Sequence, residues 1–331
     1  MSVKFHADHN FRIGRRHVNL GDPCQDFATS EDINDGDSAI IVVSDGCSSG
    51  IQTDVGSRII SLATKQALSN EHDISGGEIP SVDWLSHLNM QRQSAMDDTY
   101  NRLGLTDNDM LATCAFAYLT PQGGLIHYEG DGAIALTFRD GRTDVHILDW
   151  AVNTPYYPVY SYIYPYTRLE NFKAHHVNGL AERIQRDGEN AEPIFRQQIW
   201  QSTPENPEFT LIESIPLDVE GGINGVTIRI PEDVVQNKLQ SVALFSDGIV
   251  QFTDMGEKSL INWQECIPVL MKKRGMNSGD VTNRRMNILF NQFEKIRKSR
   301  PVGAKGIVPM DDISFALIHI EPDKEVLYGD N

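Results

Sequence analysis

Two apolar runs in this sequence end in the same tripeptide. Ile40-Ile41-Val42-Val43 leads into Ser44-Asp45-Gly46, and Val242-Ala243-Leu244-Phe245 leads into Ser246-Asp247-Gly248. A short run of this kind reads as a strand buried on both faces, and a carboxylate at its end bears a desolvation cost. Other acids fall at similar boundaries: Asp26 in DPCQDFA, Asp131 in YEGDGAIAL, and Asp311 and Asp312 ahead of ISFALIHI. Brought to one edge of a fold, unpaired carboxylates repel one another. A hard divalent cation resolves that conflict, because Mg²⁺ and Mn²⁺ prefer carboxylate, backbone carbonyl and water oxygens. Glycine after Asp45 lets the Gly46 carbonyl approach such an ion closely. Taken singly, each Asp-Gly is also an ordinary turn.

The elements that must position these acids are short. Strands are expected at about 26–30 and 39–44, followed by a helix over Thr53–Leu68 with Val55, Ile59, Leu62, Ala63 and Gln66 near a 3.6 period. A second helix is expected over Ser81–Leu103, with Trp84, Leu85, Leu88 and Met96 on its core face. Runs at 111–119, 124–129, 133–139 and 144–148 are separated by turn residues and read as an antiparallel meander. Residues 150–235 are the least regular, and Thr154–Glu170 holds six tyrosines and three prolines. Strands at 209–215 and 226–230, the strand ending at Ser246, helices at about 256–274 and 279–298, and a last strand at 313–320 complete the order. Antiparallel strands with helices in pairs argue for an α+β fold, a sheet-on-sheet core with helices outside.

The chain has 331 residues and a net charge of −17. Such a surface repels polyanions and argues against nucleic acid as a partner. Cys24, Cys47, Cys114 and Cys266 are scattered without zinc spacing, which suits reduced thiols in a cytoplasmic protein. The N-terminal residues have no apolar core of a signal peptide, and no run is long enough to span a membrane.

The stretches GRRHVNLGDPCQDFA, IIVVSDGCSSG, ATCAFAYLT with YEGDGAIAL, VALFSDGIV and MDDISFALI together resemble the metal-dependent protein phosphatase family, type 2C, in its bacterial form. They occur in that family's order and run from residue 14 to 320. The resemblance implies a β-sandwich flanked by helix pairs, four layers deep, in one domain over residues 1–331 with a variable flap at about 150–235. It implies two Mn²⁺ or Mg²⁺ ions. Asp45 resembles the carboxylate that bridges them, Gly46 a backbone ligand of one, and Asp247 and Asp311 ligands of the other. Asp26 resembles the acid that holds waters on the ions, and Asp131 a residue linked in some members to a weaker third metal. The implied activity is hydrolysis of phosphoserine and phosphothreonine in proteins, opposed to a serine/threonine kinase.

The chain departs from the pattern of eukaryotic members at two positions. Gly21 stands where many carry a phosphate-binding arginine, and Cys47 where they carry a histidine. Arg15, Arg16 and His17 lie just upstream and are candidates for the phosphate contact. Cys47 is no thiol nucleophile, because CSSGIQTD lacks the arginine of a phosphate-cradling loop. His9, His127 and His175-His176 have no usable ligand spacing. Two other readings stay open: an inactive relative serving as a binding module, and a hydrolase of small phosphomonoesters.

Overall fold

The computed structural model describes residues 3–81, 83–150, 155–163, 195–217, 224–254, 259–272, 280–298 and 307–322. Alternation along the central strands decides how its layers form. In β3 (Ser38–Ser44), Ala39, Ile41 and Val43 enter one apolar cluster, while Ile40 and Val42 enter another on the opposite face. In β11 (Leu239–Phe245), Val242 and Leu244 share the first cluster with β3, while Ala243 and Phe245 enter a third. Strands buried on both faces need apolar side chains at every position. Each isoleucine buried completely, such as Ile40 and Ile41, contributes about 1.5–3 kcal/mol relative to exposure.

One sheet has the order β1 (Val3–Arg12), β15 (Ile313–Pro322), β11, β6 (Gly132–Phe138), β7 (Thr143–Trp150), β8 (Phe195–Ser202), β9 (Thr210–Leu217). The other has the order β10 (Val226–Pro231), β5 (Gly123–Glu129), β4 (Cys114–Thr120), β3, β2 (Phe27–Ile33). Neighbouring strands in both are antiparallel. The sheets face each other across the cluster that holds Phe5, Ile41, Leu136, Val242 and Ile318. Helices α2 (Thr53–Ser75) and α3 (Trp84–Leu103) cover the five-stranded sheet, and α6 (Trp263–Leu270) and α7 (Val281–Lys298) cover the seven-stranded one. The result is the antiparallel sandwich flanked by helix pairs that the sequence suggested. Short helices α1 (Arg15–Leu20), α4 (Tyr160–Ile163) and α5 (Glu232–Asn237), and a small sheet of β12 (Phe252–Asp254), β13 (Ser259–Ile261) and β14 (Ile307–Pro309), fill the connections.

Several details differ from expectation. The buried face of α2 carries Gly56, Ser57, Ile60, Ser61, Thr64, Ala67 and Leu68, while Leu62 and Gln66 are exposed. Close approach to the sheet selects small residues there. A Cβ on Gly56 would stand 2.0 Å from the Asp109 carbonyl oxygen. On α3 the expected face is correct but includes Arg92, whose Nη2 lies 2.6 Å from Glu129 Oε2 in a buried ion pair. Strands β1 and β8 were not anticipated, because His, Asp, Arg and Gln dilute their apolar positions. Residue 154 and residues 164–170 of the tyrosine-rich stretch, and residues 164–194 as a whole, lie outside the described residues.

Candidate active site

Each Ser-Asp-Gly is fixed by its neighbour strand. Ser44 Oγ donates to the Thr113 carbonyl (2.5 Å), the Asp45 N–H donates to Thr113 Oγ1 (3.0 Å), and the Thr113 N–H donates to the Asp45 carbonyl (2.9 Å). Gly46 then pairs with Ala112, and the Cys47 N–H donates to the Leu111 carbonyl (2.8 Å). The second end is tied to the start of β15. The Ser246 N–H donates to the Ser314 carbonyl (3.2 Å), and Ser246 Oγ accepts from the Ser314 N–H (2.9 Å). Asp247 Oδ2 accepts from Gln251 Nε2 at 2.6 Å.

Asp131 sits in the β5–β6 turn between Gly130 and Gly132, whose φ angles are 113° and 145°. Only glycine adopts such values without strain. The Tyr128 hydroxyl reaches the Asp131 carbonyl (2.9 Å) and the Phe245 carbonyl (2.7 Å), joining this turn to the strand that delivers Asp247. Asp26 precedes β2 and is fully buried. Neither of its oxygens accepts a well-formed hydrogen bond, although Ser246 and Asp45 lie within hydrogen-bonding reach.

Asp312 anchors the approach segment. Its carboxylate accepts the N–H groups of Gly14 (2.6 Å) and Gln25 (2.5 Å), and His17 Nδ1 lies 2.9 Å from its Oδ2. His17 is therefore turned inward on a buried partner, away from the phosphate-contact role expected of it, whereas Arg16 is exposed and Arg15 half-buried. Asp311 is half-buried, and its Oδ1 accepts the Asp312 N–H (2.9 Å).

The electrostatics gather the acids into one cluster. Burial first, then the charges of Asp26 and Asp247, push the Asp45 carboxyl well above the usual carboxylate range. Burial and the charge of Asp247 do the same to Asp131. Burial, then Asp311 and Asp312, raise Asp247. Burial dominates for Asp26, with Asp312 and Asp247 adding to it. Asp45 and Asp247 lie deep among protein atoms yet keep an open side toward solvent. Asp45 is within hydrogen-bonding reach of both Asp26 and Asp247.

Among the described residues, no three His, Cys, Asp or Glu side chains are drawn together closely enough to hold a metal ion. The strand ends nevertheless place mutually repelling carboxylates around a buried, unsatisfied Asp26, and that arrangement fits a divalent cation. Oxygen donors without imidazole suit Mg²⁺ or Mn²⁺ better than Zn²⁺. Sequence reasoning missed Thr113, Tyr128 and Gln251, whose types carry no signal until the fold brings them to the strand ends.

A family model described as protein phosphatase 2C matches residues 13–282. No curated protein matches the chain significantly. Among solved structures, the chain is similar to a bacterial serine phosphatase at 13% identity and a TM-score of 0.48, covering 97% of this chain and 99% of that one. It is similar to the serine/threonine phosphatase Stp1 from Staphylococcus aureus at 13% identity and a TM-score of 0.48, covering 96% and 95%. A serine/threonine phosphatase of S. agalactiae matches at 13% identity and a TM-score of 0.46, covering 95% and 99%.

Proposed function

The chain belongs to the protein phosphatase 2C family, and on that premise we propose that it hydrolyses phosphoserine and phosphothreonine in proteins with two Mn²⁺ or Mg²⁺ ions. Asp45, the Gly46 carbonyl, Asp247 and Asp311 would hold the ions, Asp26 would hold water beside them, and Asp131 would serve a weaker third. Bound there, the cations supply a water of lowered pKa and offset charge on the phosphoryl oxygens. Residues 1–331 would act as one catalytic unit with 150–235 as its variable part, opposed by a serine/threonine kinase. Among the described residues no helix is long and apolar enough to cross a membrane.

The observation that carries this reading is the gathering of Asp26, Asp45, Asp131 and Asp247 at the strand ends, each carboxyl raised chiefly by burial, with the charge of Asp247 adding to the first three and those of Asp311 and Asp312 adding to Asp247. Buried like charges are costly unless neutralised. Thr113 fixes the backbone that carries Asp45, and Gln251 holds the Asp247 carboxylate, so both acids are positioned at the strand ends. Asp26, with neither oxygen accepting a well-formed hydrogen bond, would orient water. Cys47 is turned to Ser49, Sγ to Oγ 3.0 Å, and needs no covalent role. The test is turnover of phosphothreonine peptide after chelation and dialysis, with and without added Mn²⁺. Full activity in excess EDTA defeats the reading.

Gly21 and Cys47 stand where many eukaryotic members carry an arginine and a histidine, which favours one second reading, a weak or inactive relative that binds phosphoproteins. Turnover of para-nitrophenyl phosphate with Mn²⁺ separates the two. Turnover confined to small phosphomonoesters would instead indicate a small-molecule substrate.

A further inference from the structure

We propose that Asp312 is a positioning residue for the cation site, its carboxylate tying the acidic ends of the two sheets together and so setting how far Asp26 stands from Asp311 and Asp247. The proposal rests on the cation-dependent reading above and names what holds that site in shape. The Asp312 side chain is buried, 1% exposed. It stands just before β15 of the seven-stranded sheet, whereas Gln25 and Asp26 lead into β2 of the five-stranded one. Its Oδ2 accepts the N–H of Gln25, 287 residues away in sequence, at 2.5 Å, and its Oδ1 accepts the Gly14 N–H at 2.6 Å. His17 Nδ1 stands 2.9 Å from Oδ2, although not aligned as a hydrogen bond.

Each tie ends one step from a proposed ligand. Gln25 is bonded to Asp26, and its carbonyl accepts from Ser57 Oγ of α2 at 2.6 Å. A Cβ on Gly46 would meet that same carbonyl oxygen at 2.9 Å. Gln25 is thus gripped at both polar atoms of its backbone. On the other sheet, the Asp312 N–H donates to Asp311 Oδ1 (2.9 Å), and the Asp312 carbonyl leaves no room for a Cβ on Gly248, next to Asp247. The Met310 N–H donates to the carbonyl of Gln251 (3.1 Å), whose amide holds the Asp247 carboxylate. A Cβ on Gly14 would overlap the Asp311 carbonyl, so the approach segment is seated directly on the Asp311–Asp312 peptide. A neutral side chain would close a turn at lower desolvation cost. The carboxylate is suited to this place because its two oxygens accept N–H groups from two segments at once, and partners that orient metal ligands tune the affinity of a site.

The experiment compares wild type, Asp312→Asn, Ser57→Ala and Val235→Ala. Asn keeps the shape of Asp312 but has one acceptor oxygen in place of two, so one of the two N–H groups loses its partner. Ser57→Ala frees the Gln25 carbonyl without changing any charge. Val235 is buried on α5, which bonds the Pro121 carbonyl at the end of β5 opposite to Asp131, so Val235→Ala lowers stability without reaching the site. The measurements are Mn²⁺ affinity by calorimetric titration of the metal-free proteins, kcat and KM on phosphothreonine peptide at saturating Mn²⁺, and melting temperature. Asp312→Asn is expected to lose about tenfold to a hundredfold in Mn²⁺ affinity, the scale for partners that orient metal ligands, and to lose kcat while KM for the peptide stays that of wild type. Ser57→Ala should move Mn²⁺ affinity and kcat the same way by about fivefold, the scale of one neutral hydrogen bond. Val235→Ala should melt lower and keep both. Wild-type Mn²⁺ affinity and kcat in Asp312→Asn overturn the proposal. So does a loss that Ser57→Ala does not share, since charge alone then explains it, and so does an equal loss in Val235→Ala, which makes it general destabilisation. Should Asp312→Asn fail to fold, Ser57→Ala set against Val235→Ala decides. A wild type that binds Mn²⁺ and hydrolyses no phosphopeptide sinks the phosphatase reading and leaves the affinities to decide this proposal. A wild type that binds no Mn²⁺ sinks both.

Discussion

The two Ser-Asp-Gly ends share a tripeptide and differ in what holds them. At the first, the backbone of Asp45 is stitched to Thr113 on both sides, and its carboxylate is left facing Asp26 and Asp247. At the second, the carboxylate itself is held, by Gln251, and the following Gly248 is pressed against Asp312. A Cβ there would lie 1.9 Å from the Asp312 carbonyl oxygen. The residue after each glycine differs too: Ile249 is fully buried and Cys47 half-buried. One end is a rigid backbone presenting a free carboxylate. The other is a packed corner presenting a restrained one. Identical local sequence therefore fixes only that a carboxylate emerges where a strand stops, and the neighbouring strand fixes its freedom.

The largest expected effect tests the free end. Asp45→Asn should lower turnover at least about a hundredfold, the scale of removing one preorganised electrostatic partner, and Asp247→Asn should do likewise. Both should lose most of the Mn²⁺ thermal shift, since a ligand stabilises only what it binds. Neither should unfold. Folding raises the Asp45 and Asp247 carboxyls above their unfolded values. Between the two values the folded chain binds more protons, so metal-free stability falls as pH rises through that window. Burial pushes the Asp26 carboxyl up to about 8 as well, so metal-free wild type should melt higher near about pH 6 than near about pH 8. Asp45→Asn should shrink that difference and melt at or slightly above metal-free wild type. An active Asp45→Asn protein with a normal Mn²⁺ shift would refute the proposed site.

Next in size come the glycines. Gly248→Ala forces a Cβ against the Asp312 backbone, which cannot yield cheaply, and should cost about 3 kcal/mol, the upper end of ordinary overpacking. Gly46→Ala meets the Thr53 and Gln25 carbonyl oxygens at 2.7 and 2.9 Å and should cost about 1–2 kcal/mol. Urea midpoints of the metal-free proteins rank them. The reverse order would mean that the first end is the more tightly packed.

What the sequence disclosed about these two ends, and what it hid, follows from the same physics. Runs such as Ile40–Val43 and Val242–Phe245 are legible because strands buried on both faces need unbroken apolar sequence. The acids at their ends are legible because desolvation makes them improbable as filler. The buried face of α2 was misread because close packing chose Gly56, Ser57, Ser61 and Thr64, which carry no hydrophobic period. His17 stood beside Arg15 and Arg16 as a candidate phosphate contact because its spacing says nothing of Asp312, 295 residues later and 2.9 Å away.

A smaller effect is expected at the supports. Thr113→Val removes the acceptor of the Asp45 N–H and should cost about 1–3 kcal/mol, the penalty of a buried donor left unmade. Gln251→Ala releases the Asp247 carboxylate. It should cost about 1 kcal/mol or less while weakening the Mn²⁺ response severalfold. Paired urea melts and Mn²⁺ titrations separate a backbone support from a side-chain support. Equal stability losses would erase the distinction between the two ends.

The smallest effect should come from the residue after the first glycine. Cys47 is half-buried, its Sγ 3.0 Å from Ser49 Oγ, and its N–H is bound to Leu111 whatever side chain it bears. Serine is smaller by little and keeps a donor and an acceptor at the same place, so the neighbours lose no partner. If water rather than sulfur attacks phosphorus, Cys47→Ser should retain kcat/KM on phosphothreonine peptide within about threefold, a change of under 1 kcal/mol. If the thiol were the nucleophile, the oxygen replacement would lower turnover by several orders of magnitude with the Mn²⁺ thermal shift intact. Side-by-side kinetics and Mn²⁺ melts of the variant decide between these, because the first mechanism draws both of its essential responses from the carboxylates and none from the sulfur.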